Sequence, residues 1–76
     1  MLGPNELLEK IMKYGKIQSD KGRLNIKKTD LWNYVMKVDP NAKRESLNEV
    51  INELDARGWL LENNVTEIKF DPASFQ

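Results

Sequence analysis

Asp39–Glu62 reads DPNAKRESLNEVINELDARGWLLE, and the fold turns on how this stretch is read. Asp39-Pro40-Asn41 is turn chemistry. Leu47, Val50, Ile51 and Leu54 then recur at i, i+3, i+4 and i+7, which puts four apolar side chains on one helical face. Gly58 is the residue best able to take the left-handed conformation that ends a helix. Trp59-Leu60-Leu61 follows at once as a short apolar run. The expected unit is a helix over about 42–57 that stops at a glycine and reverses into a strand.

Downstream, Trp59–Glu62 and Val65–Phe70 flank Asn63-Asn64. Two asparagines tolerate positive φ, so a tight two-residue hairpin is expected, with the paired segment spanning about 59–70. Thr66, Ile68 and Phe70 share one strand face. Pro72 cannot donate to a ladder, so Asp71-Pro72 ends the strand, and the tail 71–76 is expected to be loose unless Phe75 docks on the core.

Upstream, Leu31, Tyr34, Val35 and Val38 repeat the i, i+3, i+4, i+7 spacing and predict a second helix over about 30–37. Thr29 suits its N-cap, and Asp30 suits the positive end of its dipole. Asp39 or Asn41 suits the cap of the third helix. Trp32 and Met36 lie beside the core stripe, as edge-of-core residues or partly exposed ones. A first helix is expected over about 4–14, with Pro4 in its first turn, Leu7, Leu8, Ile11 and Met12 as its stripe, and Gly15 as its stop. Between them, Ser19-Asp20-Lys21-Gly22 is a turn signal, and Leu24 and Ile26 alternate with polar residues as in a short strand.

Seventy-six residues make one domain, 1–76, with no room for a two-domain enzyme cleft. No apolar run approaches the roughly 20 residues needed to cross a membrane. MLGPNELLEK lacks the charged start and apolar block of a secretion signal, so the cytoplasm is the expected compartment. There is no cysteine for a disulfide or a thiolate zinc site, and no histidine. With no glycine-rich phosphate loop either, and with the carboxylates on a solvated helix face, catalysis is not expected. Nothing points to a metal, a cofactor or a small-molecule ligand.

The formal net charge is zero, but it is unevenly spread. Residues 1–44 carry ten basic against five acidic side chains, a net of +5, and residues 45–76 carry two against seven, a net of −5. Such asymmetry suits a nucleic-acid surface on one side, although scatter over a solvated surface gives the same sums. Lys16–Lys28 is especially basic, with Lys16, Lys21, Arg23, Lys27 and Lys28 opposed only by Asp20. It reads either as a phosphate-contacting segment or as an ordinary polar loop.

About four residues separate the second and third helices, the connection length of a helix-turn-helix. Lys43-Arg44-Glu45-Ser46-Leu47, followed by Leu54-Asp55-Ala56-Arg57-Gly58-Trp59-Leu60, resembles the recognition helix and following strand of winged helix-turn-helix transcription regulators. The likeness covers about 29–70. The size, the lysine- and glutamate-rich surface and the lack of cysteine and histidine also resemble small regulators carried by viruses and plasmids of thermophilic archaea. The resemblance implies an α+β winged helix-turn-helix of three helices, with a small antiparallel sheet whose β-hairpin is the wing.

It also implies a sequence-specific regulator of double-stranded DNA, with the third helix in the major groove and its N-terminal residues near base edges. Carried over by position, Lys43, Arg44, Ser46 and Asn48 are the contacts, with Asn52 one turn further on. Arg44 suits guanine and Asn48 adenine, whereas Lys43 and Ser46 suit phosphate. Lys27, Lys28 and Arg23 would add phosphate contacts, and the wing offers the neutral Asn63, Asn64 and Thr66. A homodimer is expected, because one small reader makes few base contacts.

Glu45, Glu49, Asn52 and Ala56 are the outermost positions of the third helix. Glu45 can accept from a cytosine amino group, but each carboxylate opposes a polyanion. The alternative function is a winged-helix protein-interaction module that uses this acidic face against a basic partner.

Overall fold

A computed structural model describes residues 2–76, and Met1 lies outside the described residues. Its elements run α1 (Pro4–Asp20), β1 (Asn25–Lys27), α2 (Lys28–Val38), α3 (Arg44–Ala56), β2 (Leu60–Asn63), β3 (Glu67–Phe70) and a 3₁₀ turn (Pro72–Phe75). The strands form one antiparallel sheet in the order β1-β3-β2. This is an α+β architecture compatible with a winged helix. No helix among the described residues is long and apolar enough to cross a membrane.

The stripes read from helical spacing face one core. Leu7 and Ile11 of α1, Leu31 and Val35 of α2, and Leu47, Val50, Ile51 and Leu54 of α3 are all buried. Ile26, Leu60, Ile68 and Phe70 close the core from one face of the sheet. Trp32 is half-buried and packs against its edge, and Met36 is half-buried.

Several boundaries differ from expectation, each for an identifiable physical reason. Gly15 does not stop α1. It is buried inside the helix, where a Cβ would lie 2.7 Å from Phe70 Cε2. The helix stops instead at Gly22, which has φ 79°. There Gly22 N–H donates to the Ser19 carbonyl and Arg23 N–H to the Gln18 carbonyl, the paired bonds of a Schellman cap. Gly58, with φ 74°, ends α3 the same way, through Gly58 N–H to Asp55 and Trp59 N–H to Leu54.

The expected caps are used elsewhere. Thr29 lies inside α2, whose N-cap is Lys27, and the N-cap of α3 is Lys43. Neither lysine makes a side-chain capping bond. Asp39, 5% exposed, builds the α2–α3 turn instead, its carboxylate accepting from Asn41 N–H and from Leu2 N–H.

The hairpin turn is also displaced. Asn63 belongs to β2, paired with Ile68, and neither Asn63 nor Asn64 has positive φ. The reversal falls at Val65-Thr66. Asn64 N–H donates to the Glu67 carbonyl, and Asn64 Oδ1 accepts from Thr66 N–H, Thr66 Oγ1 and Glu67 N–H. The asparagine thus shapes the turn by its side chain rather than by a left-handed backbone. The pairing is irregular between Leu60 and Glu62, and Leu61 is exposed. The tail is not loose: Asp71 caps the 3₁₀ turn by accepting from Ala73 N–H, and the Phe75 ring packs 5.3 Å from that of Phe70.

Candidate nucleic-acid interface

An open groove of about 650 Å³ runs between the junction of β1 and α2, the first half of α3 and the hairpin turn. It is lined by Lys27, Lys28 and Thr29, by Arg44, Leu47, Asn48 and Ile51, and by Val65, Thr66 and Glu67. Each wall follows from local structure. Ile26 points into the core from β1, so alternation turns Lys27 outward. Lys28 N–H donates to the Thr66 carbonyl at 2.8 Å, which fastens the start of α2 to the hairpin turn. Arg44 and Asn48 stand one turn apart on the flank of α3 beside its buried stripe.

Of the candidate residues named from sequence, Lys27, Lys28, Arg44, Asn48 and Thr66 come together in this groove. Lys43 is exposed at the N-cap of α3, and Ser46 is half-buried on the other flank. Glu45 and Asn52 are exposed but do not line the groove. Arg23 is exposed in the turn before β1, and Asn63 at the end of β2. Asn64 is exposed, but its side-chain oxygen is committed to the turn, as is the Thr66 hydroxyl hydrogen.

Charge in the groove is mainly positive. Lys27, Lys28 and Arg44 face one carboxylate, Glu67, whose Oε1 accepts from Asn25 Nδ2 at 3.4 Å. The first turns of α2 and α3, both without side-chain caps, add the positive ends of two helix dipoles. Arg44 is further placed by Trp32, its guanidinium lying 4.8 Å from the centre of the indole.

The remaining glutamates of α3 lie elsewhere. Glu49 and Glu53 line a second recess, of about 340 Å³, with Pro4, Asn5, Leu8, Val50 and Arg57. There Arg57 Nε donates to Glu53 Oε1 at 2.8 Å. The helix therefore carries a basic flank toward the hairpin and an acidic flank toward α1.

Thr29, Val65 and Glu67 were not candidates from sequence. Val65 is 91% exposed at the hairpin tip and becomes visible as a groove residue only once the turn is placed at Val65-Thr66. Compared with protein-family models, with curated proteins and with solved structures, the chain matches none.

Proposed function

We propose that this chain is a winged helix-turn-helix regulator that binds double-stranded DNA in a sequence-specific way. One observation carries the proposal: Lys27 and Lys28, Arg44 and Asn48 are far apart in sequence, yet they line a single groove that excludes Glu45, Glu49 and Glu53. A duplex seated there meets three cations and the amide-rich starts of two helices before it meets the acidic flank. The lysines and Lys43 contact phosphate, and Arg44 and Asn48 reach base edges, Arg44 donating to guanine and Asn48 both donating to and accepting from adenine. The duplex is approached by the first turns of α3 and the hairpin side, not by the outermost line of the helix. Two copies on one operator supply the extra contacts a single reader of this size lacks.

The test is duplex binding measured over a range of salt concentrations, followed by base substitution in the best site found. Affinity falls steeply with salt, and Arg44→Ala costs about 1–3 kcal/mol while relaxing preference at one position. No binding to any duplex at low salt rejects the proposal.

A second reading is supported by the recess between α1 and α3. Glu49 and Glu53 flank the apolar Leu8 and Val50 there, a combination suited to a basic partner protein. The Arg57–Glu53 pair already neutralises one of the two carboxylates, which weakens this reading. Binding to a basic protein that Glu49→Gln abolishes, together with indifference to DNA, would favour it.

A further inference from the structure

The chain holds two arginine–tryptophan pairs, and they differ in what each guanidinium still has to offer. Arg57 lies 5.0 Å from the centre of the Trp59 ring, and its Nε is also committed to Glu53. Arg44 lies 4.8 Å from the centre of the Trp32 ring, and among the described residues no carboxylate forms an ion pair with it. An aromatic face attracts a guanidinium through the ring quadrupole and takes up none of its N–H donors. The charge of the first guanidinium already has a carboxylate partner within the protein, and the second remains open to an external acceptor.

Trp32 does not line the groove. It is half-buried on α2, four residues after Lys28 and so on the same side of that helix. Its ring is fixed by a helix packed into the core, whereas Arg44 stands exposed in the first turn of α3. We propose that Trp32 is a positioning residue, which holds the Arg44 guanidinium at the edge of the groove with its donors free for a base edge. The proposal rests on the groove being a duplex site. An unrestrained arginine loses much rotamer freedom when it binds, so restraint beforehand leaves less to lose. Trp32 then controls base preference without touching DNA.

The test compares wild type, Trp32→Ala, Trp32→Phe, Arg44→Ala and the Trp32→Ala/Arg44→Ala double variant. Each is measured on the best-bound duplex and on one in which the guanine sensed by Arg44 is replaced. Trp32→Ala should lower discrimination at that position roughly two- to five-fold, the worth of one exposed cation–π pair. Trp32→Phe, which keeps a ring, should recover most of it. Trp32→Ala should add nothing once Arg44 is gone. In the free protein, ring-current shifts of the Arg44 side-chain NMR signals should report the pairing, a readout that does not depend on any variant folding.

Unshifted Arg44 signals would overturn the positioning role. So would a well-folded Trp32→Ala that keeps full discrimination, or an equal loss in the Arg44→Ala background, which marks a merely structural effect. If wild type shows shifted Arg44 signals but binds no duplex, the DNA reading fails and takes the role with it. If wild type binds and discriminates but Arg44 is unshifted, only the role fails.

Discussion

Phe70 occupies the space that any side chain at Gly15 would need. A Cβ built at Gly15 lies 2.7 Å from Phe70 Cε2 and 2.9 Å from Cζ, and Phe70 is itself 1% exposed. The contact joins the middle of α1 to the end of β3, the central strand of the sheet. It explains why a residue that weakens helices sits inside one.

Gly15→Ala should therefore destabilise the protein, although alanine favours a helix interior by about 1 kcal/mol over glycine. Displacing a buried ring costs roughly 1–3 kcal/mol, so the net effect is a lower urea midpoint. Phe70→Leu should cost less in the Gly15→Ala background than alone. A Gly15→Ala variant more stable than wild type would show that the ring yields freely.

Lys43→Ser should separate stability from binding. Lys43 already has the extended N-cap backbone, φ −102° and ψ 153°, but no side chain to bond the exposed amides. Serine supplies one, and α3 should gain about 0.5–2 kcal/mol, seen as a raised urea midpoint. Duplex binding should weaken, with the salt slope reduced by about 1. A gain in both properties would remove Lys43 from the phosphate contacts.

The hairpin offers a paired comparison. Asn64→Ala removes the acceptor of three bonds in the turn and should cost on the order of 1 kcal/mol. Asn63→Ala, at an exposed strand position, should stay within about 0.5 kcal/mol of wild type. Chemical denaturation of the two variants gives the order, and the reverse order would move the turn back to Asn63-Asn64.

Alkaline pH should probe the α1–α2 contact at which the Tyr14 and Tyr34 rings lie 4.6 Å apart. Burial first, then the charge of Asp30, pushes the Tyr14 phenol above its usual range, against a smaller opposing effect of Arg23. The folded state thus holds that proton more tightly than the unfolded chain does. The contribution is fully present below about pH 10 and is lost as pH rises through the folded-state value. Tyr14→Phe should flatten the fall of stability with pH above about 10. An unchanged slope would place the titrating group elsewhere.

Much of this architecture is legible in the sequence because apolar spacing is a property of the chain itself. The stripes of α2 and α3, the alternation through Ile26 and the stop at Gly58 need no knowledge of neighbours. Gly15 and Gly22 show where that ends. Both are glycines after an apolar stripe, and only the tertiary contact with Phe70 distinguishes the interior one. Capping failed similarly: Asp39 has the chemistry of a cap, but its carboxylate is taken by Leu2 and Asn41. Lys27, Lys28, Arg44 and Asn48 were identifiable as candidates one by one. Their meeting in one groove depends on the Lys28–Thr66 backbone bond and on the displaced turn, which no local pattern encodes.

The seat of the duplex is tested most directly by following backbone amide NMR signals while a short duplex is added at low salt. The expected result is movement confined to the groove: residues 27–29 at the start of α2, 43–48 in the first turns of α3, and 64–67 at the hairpin. The signals of Glu49, Glu53 and Arg57, beside the second recess, should stay in place. Movement centred on those three residues, or no movement anywhere, would contradict a duplex seated in the basic groove.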